Sequence, residues 1–194
     1  MKTLVDIIVE KKYDAMSRAT VGTDKEFDHK YCSLCYDKEF EKYQDKPISL
    51  LEIGVESGGS LIVWNEYFPN ATLIMGLECH QPHIQKAQHY TQNLWNVRVV
   101  NADAYNAEFV NQLPQFDIII DDGPHDKESQ LKSMNLYCSK IKPGGCYVIE
   151  DIQDIAYTED FKTLVPEGMT YEVFDLREPS NLWDSIVFVV RKPV

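Results

Sequence analysis

The stretch ISLLEIGVESGGS, residues 48–60, decides the fold. Its first half is a continuous apolar run, which is typical of a strand buried on both faces of a sheet. Its second half is a turn with glycines at 54, 58 and 59, which let the backbone approach a ligand closely, while the helix that follows offers free N–H groups. The spacing is not GxGxxG, so a dinucleotide is the less expected ligand.

Beyond this stretch, short β-rich runs alternate with longer mixed segments, the pattern of strand-helix units on a parallel sheet. Two later runs, 169–177 and 184–192, are expected to form a closing antiparallel pair. We predict an α/β fold, a doubly wound seven-stranded and mostly parallel sheet with an antiparallel final strand. The other predicted strands are 48–54, 71–78, 96–102, 116–122 and 145–151, and the predicted helices among them are 60–67, 81–93, 108–112, 127–141 and 154–164.

Residues 1–47 lack this alternation. They begin with an amphipathic segment, 1–16, that we predict to be helical, and continue into an aromatic-rich run that is too short to form a core of its own. We therefore expect one domain, with residues 1–47 as an N-terminal helical cap or lid on a core of residues 48–194.

The composition excludes several classes of protein. The net charge of −12, without clustered Lys or Arg, argues against nucleic-acid binding. No apolar run is long enough to cross a membrane. Five scattered cysteines do not resemble a disulfide framework, and the CxxC at Cys32 and Cys35 has no second pair for zinc. We expect a cytoplasmic protein with a small-molecule or glycan partner; a homo-oligomer is compatible with the sequence.

Carboxylates recur where the first three strands end. Glu52 would repel a diphosphate but suits an amine, such as that of S-adenosylmethionine. Glu78 closes the second strand, where doubly wound folds place a ribose-binding acid, and Asp103 follows the third. Each alone could be a solvated loop residue. Their recurrence at one edge of the sheet favours a binding site.

The fourth and fifth strands end in DDGPH, 121–125, and in Glu150-Asp151. Three of these carboxylates, Asp122, Glu150 and Asp151, would suit Mg²⁺ or Mn²⁺, and a neutral His125 could take a proton near neutral pH. The alternative is that Asp121 and Asp122 cap the next helix and His125 is a surface residue. Capping explains neither Glu150-Asp151 nor the histidine.

With these motifs in view, the chain resembles the metal-dependent sugar O-methyltransferases that tailor macrolide antibiotics. The resemblance rests on GTDK at 22–25, LLEIGVESGGS at 50–60, DDGPH at 121–125, KPGGCYVIED at 142–151, and the aromatic residues Tyr31 and Tyr36. It implies a class I methyltransferase fold and transfer of a methyl group from S-adenosyl-L-methionine to a metal-chelated sugar hydroxyl, with His125 as base. It also implies that GTDK at 22–25, together with Tyr31 and Tyr36, lies over the cofactor as a lid. The residues expected at the cofactor are Thr23, Lys25, Tyr36, Glu52, Gly54, Ser60, Glu78, Asp103, Ala104 and Asp121.

Three other functions remain open at this point. A catechol-like phenol could chelate the same metal in place of a sugar. A nicotinamide-dependent oxidoreductase would share the strand order, but the missing GxGxxG disfavours it. A non-catalytic scaffold with this fold would lack a working metal site.

Overall fold

The computed structural model describes residues 2–13 and 21–194. Helices and strands alternate through most of the chain. The helices are α1 (Leu4–Lys11), α2 (Asp37–Phe40), α3 (Gly59–Tyr67), α4 (Gln81–Thr91), α5 (Ala107–Gln112), α6 (Lys127–Tyr137), α7 (Tyr157–Leu164) and α8 (Arg177–Ser180). The strands are β1 (Ser49–Ile53), β2 (Leu73–Glu78), β3 (Val97–Asn101), β4 (Phe116–Asp121), β5 (Ile141–Ile149), β6 (Thr170–Asp175) and β7 (Ile186–Arg191).

The seven strands form one sheet in the order β3-β2-β1-β4-β5-β7-β6. The first five strands run parallel, and β7 runs antiparallel to both of its neighbours. The predicted sheet and its antiparallel final strand are therefore confirmed. Strand β5 begins at Ile141 rather than at residue 145, because Ile141 already pairs with Phe116 before the register shifts.

Successive residues of the central strands point to opposite faces of the sheet, and each face has its own core. Leu50 and Ile118 pack on the side of α1 and α3, together with the N-terminal aromatic residues. Leu51 and Ile119 pack on the side of α6 and α7. Helices on both faces explain why the strands are apolar throughout rather than alternating.

The N-terminal segment begins with α1, where Thr3 and Asp6 form a capping box. The helix ends before Lys12, whose φ of 59° is left-handed, so the predicted helix over 1–16 is shorter than expected. Residue 1 and residues 14–16 of that prediction lie outside the described residues. Farther along, the rings of Tyr36 and Phe40 stack at 4.8 Å and share the core of the sheet. The division into a cap, 1–47, and a core, 48–194, stays a prediction.

Among the helices of residues 2–13 and 21–194, none is long and apolar enough to cross a membrane.

Candidate active site

A cavity of about 450 Å³ opens at the carboxyl ends of β1 to β4. It lies where the strand order reverses between β1 and β4, the position at which open α/β sheets bind their ligands. Its size is within the range of small-molecule sites. The expected site residues that line it are Thr23, Lys25, Gly54, Ser60, Glu78, Asp103, Ala104, Asp122, His125 and Asp151; Tyr36, Glu52, Asp121 and Glu150 do not line it.

Gly54 begins the turn that forms one wall of the cavity. Its φ is +77°, and a Cβ at this position would lie 2.0 Å from the backbone oxygen of Asp122. The glycine thus lets the turn after β1 lie directly against the end of β4.

Replacing Gly54 with alanine is expected to destabilise the fold more than the same change at Gly168. Gly168 has a similar φ of +82° but no atom within 4 Å of an added Cβ. The Gly168→Ala variant should lose about 1–2 kcal/mol to the left-handed backbone. The Gly54→Ala variant should lose about 2 kcal/mol more through the clash. Urea unfolding measures both free energies, and equal losses would show that the contact with Asp122 adds nothing.

The Glu78 carboxylate is oriented by backbone N–H groups. Its Oε1 accepts hydrogen bonds from the N–H groups of Cys79 and His80, each at 2.9 Å. Its Oε2 accepts from the N–H of Glu56 at 3.2 Å. His80 and His83 line the cavity beside it, and sequence reasoning missed both, although they follow within five residues of the acid that closes β2.

Glu52 is buried and already has a positively charged partner within the protein. Its Oε2 accepts hydrogen bonds from Ser60 Oγ at 2.7 Å and from Trp64 Nε1 at 3.1 Å. Its Oε1 has no hydrogen bond and lies 3.4 Å from Lys25 Nζ. The geometry therefore does not support a direct contact of Glu52 with a cofactor amine, because Lys25 occupies that side.

Lys25 lies at the centre of three carboxylates from three different strand ends. Besides Glu52, its Nζ lies 2.8 Å from Asp122 Oδ2 and donates to Glu150. Burial opposes the charge of this ammonium, but the surrounding carboxylates raise the pKa of Lys25 well above its ordinary value. Its side chain is 3% exposed. Lys25 is therefore a buried cation that balances part of the charge at the sheet edge.

Glu150 was expected to hold a metal, but it lies on the inner side of Lys25. Its side chain is 1% exposed and accepts hydrogen bonds from Lys25 and from the Tyr36 hydroxyl. Burial raises the pKa of Glu150 to about 7, against the lowering effect of Lys25. Tyr36, expected at the cofactor, is fully buried and directed at Glu150. This arrangement does not support Tyr36 as a cofactor contact or Glu150 as a ligand on the cavity side.

Asp122, His125 and Asp151 meet at the cavity wall. His125 Nε2 lies 3.8 Å from Asp122 Oδ1 and 3.6 Å from Asp151 Oδ2. One ligand atom from each of the three lies within 4.8 Å of those of the other two, so a divalent cation held by the carboxylates of Asp122 and Asp151 would lie beside the imidazole. Burial lowers the pKa of the His125 imidazole, although Asp151 raises it, which favours the neutral form.

The helix-capping alternative for the DDGPH segment is not supported. The N-cap of α6 is Asp126, whose side chain accepts from the N–H of Ser129, so neither Asp121 nor Asp122 has that role. Asp121 is buried, accepts from the Tyr147 hydroxyl at 3.1 Å, and does not line the cavity. Burial raises the pKa of Asp121 to about 6. Its position is that of a residue supporting the loop rather than one contacting a cofactor.

The sequence of the chain is similar to those of known methyltransferases. The sequence profile of a family described as "Methyltransferase domain" matches residues 51–152, more than half of the chain. Mycinamicin VI 2''-O-methyltransferase of Micromonospora griseorubida is 33% identical over a region that covers 60% of this chain and 30% of that protein. An 8-demethyl-8-alpha-L-rhamnosyl tetracenomycin-C 2'-O-methyltransferase of Streptomyces olivaceus is 29% identical, covering 74% of this chain and 40% of that protein.

A solved structure has the same fold. The MycE methyltransferase of the mycinamycin biosynthetic pathway, crystallised with Mg and SAH, superposes with a TM-score of 0.74 at 24% identity, covering all of this chain and 55% of that one. The chain thus spans about a third of the length of the curated relatives and about half of that structure. The family profile matches β1 to β5, and the cavity lies in the fold of a class I methyltransferase. The chain therefore belongs to the methyltransferase-domain family.

Proposed function

We propose that this chain carries out, or contributes the catalytic domain for, transfer of a methyl group from S-adenosyl-L-methionine to a sugar hydroxyl of a glycoside or glycan, with a divalent cation such as Mg²⁺ or Mn²⁺. The main support for this proposal is that the candidate cofactor site and the candidate metal site lie in the same cavity. The acidic residues Glu78 and Asp103 lie on the same cavity as the Asp122–His125–Asp151 group. A cofactor and a metal-bound acceptor would therefore meet there.

The cofactor end of the cavity suits a nucleoside. Glu78, held by four backbone N–H groups, presents a fixed carboxylate of the kind that accepts ribose hydroxyls. Asp103 stands at the end of β3, beside it on the cavity wall. The Gly54 turn lets the backbone approach the cofactor closely.

At the other end, Asp122 and Asp151 would hold the cation. The cation supplies the chemistry of making a hydroxyl easier to deprotonate. His125 would take the proton of the acceptor hydroxyl. S-adenosyl-L-methionine, when bound, would supply the methyl group to that oxygen and leave as S-adenosylhomocysteine. Residues 22–25 and 54–57 form walls of the cavity and would position the two reactants.

The relatives support a sugar acceptor. One is named for 2''-O-methylation of mycinamicin VI and another for 2'-O-methylation of a rhamnosyl tetracenomycin. The acidic chain and its lack of clustered basic residues favour a small molecule or glycan over nucleic acid. We place the protein in the cytoplasm as part of the same proposal.

Calorimetry and a methyl-transfer assay test the proposal together. The purified protein should bind S-adenosylhomocysteine, and turnover of a panel of rhamnosides and other glycosides should require Mg²⁺ or Mn²⁺ and stop on addition of EDTA. Absence of cofactor binding would overturn the methyltransferase assignment. Turnover of catechols but not of glycosides would keep the cofactor and metal and replace the acceptor.

A further inference from the structure

The hydroxyl of Tyr31 makes two hydrogen bonds to one residue, Asp151. It donates to Asp151 Oδ1 at 2.5 Å and accepts from the backbone N–H of Asp151 at 3.3 Å. Asp151 has a φ of 53°, a left-handed conformation that non-glycine residues seldom adopt. A single hydroxyl thus fixes both the backbone turn after β5 and the orientation of its carboxylate.

The ring of Tyr31 is itself held in place. It is buried, and the ring of His29 stacks on it with centroids 4.8 Å apart and planes 26° from parallel. His29 Nδ1 lies 2.9 Å from the Oγ of Ser185, which is the residue directly before β7. The same nitrogen lies 3.4 Å from Asp151 Oδ1. The residue that leads into β7 therefore supports the Tyr31 ring through His29.

These contacts give the two oxygens of Asp151 different surroundings. Oδ1 faces Tyr31 and His29, whereas Oδ2 lies 3.6 Å from His125 Nε2 at the cavity wall. We propose that Tyr31 is a positioning residue that presents Oδ2 of Asp151 to the divalent cation, with His29 holding the tyrosine ring. This rests on the proposed function, because it requires that a cation binds beside Asp122 and Asp151.

The Tyr31→Phe variant tests this assignment without any turnover. Loss of a group that orients a metal ligand typically weakens metal affinity by about 10–100-fold, and we expect a rise of that size in the dissociation constant for Mn²⁺. Calorimetry or the electron paramagnetic resonance signal of free Mn²⁺ measures it in the absence of cofactor and acceptor. His29→Ala is a second variant, and we expect a smaller loss of affinity because the hydrogen bonds between Tyr31 and Asp151 remain, while the support of the ring and the contact of His29 with Oδ1 are lost.

Tyr43→Phe is a matched control. Tyr43 is also buried, and its hydroxyl donates to the backbone oxygen of Gly144 at 2.6 Å, near the opposite end of β5. Its removal should leave Mn²⁺ affinity unchanged. Hydrogen exchange of the metal-free protein adds a local measurement, since the Asp151 amide should exchange faster in Tyr31→Phe and His29→Ala but not in Tyr43→Phe.

The outcomes separate this inference from the proposed function. Wild-type affinity for Mn²⁺ in Tyr31→Phe, with faster exchange at Asp151, would reduce Tyr31 to a structural role and overturn the inference alone. A wild-type protein that binds no Mn²⁺ would overturn the metal-dependent part of the proposed function and this inference with it. Equal weakening in Tyr31→Phe and Tyr43→Phe would show a general loss of packing and also contradict the positioning role.

Discussion

Replacing Lys25 with methionine is expected to destabilise the metal-free protein by about 3–5 kcal/mol, the usual cost of removing one partner from a buried ion pair. Methionine keeps the apolar length of the side chain but leaves Glu52, Asp122 and Glu150 without the ammonium that lies between them. Glu52 and Glu150 are almost fully buried, so water cannot hydrate their charges. Urea unfolding at neutral pH measures the change in free energy.

The loss of stability in Lys25→Met is expected to become larger as the pH rises. The pKa of Glu150 is raised by burial to about 7 with Lys25 present, against an ordinary value of 4.5, and removing the ammonium can only raise it further. Above about pH 4.5 the unfolded chain releases this proton while the folded variant retains it, so the stability of the variant falls as pH rises. The wild-type protein shares this loss up to about pH 7, where its own Glu150 ionises, so the difference between the two proteins should grow as the pH rises from about 7 to about 8.

Lys2→Met is the control for a lost ammonium in the same N-terminal region. The pair of Lys2 with Glu10 is more than half exposed on both sides, so its loss should change the free energy of unfolding very little. If Lys25→Met matched this control at about pH 8, Lys25 could not be the main counter-charge of the buried carboxylates.

The sheet and its acidic edge could be predicted because both depend on local sequence. Continuous apolar runs such as 116–121 predict buried parallel strands, and the residues after parallel strands must meet at one edge. This reasoning brought Asp122 and Asp151 together correctly. It misjudged the start of β5, because the pairing of Ile141 with Phe116 depends on a register shift that no local pattern encodes.

The interior of the site could not be predicted in the same way. Lys25 contacts Asp122 and Glu150 across 97 and 125 residues of sequence, and the resemblance assigned it to the cofactor. Tyr31 likewise reaches Asp151 across 120 residues. Such contacts follow from how the N-terminal segment packs on the finished sheet, so hydrophobic periodicity and motif spacing carry no signal for them.

Replacing His125 with alanine is expected to lower kcat by about 10²–10⁴-fold, the usual contribution of a positioned general base. The imidazole lies within 4 Å of both Asp122 and Asp151, and burial lowers its pKa so that the neutral, proton-accepting form is favoured. The rate of the wild-type protein should fall as pH drops through that pKa, because the protonated ring cannot accept a proton. The test is a methyl-transfer assay with the best glycoside of the panel.

Affinity for S-adenosylhomocysteine separates a lost base from a damaged site. Calorimetry should give nearly the wild-type dissociation constant for His125→Ala, because Glu78 and the Gly54 turn are untouched and hold the other end of the cavity. His89→Ala removes an exposed histidine of α4 and should change neither rate nor affinity. Full activity in His125→Ala would remove the base assignment while leaving the cofactor and metal proposals standing, since those rest on other residues. A parallel loss of rate and cofactor affinity would instead make His125 a structural residue, because the DDGPH turn has to adopt a left-handed φ of 63° at that position.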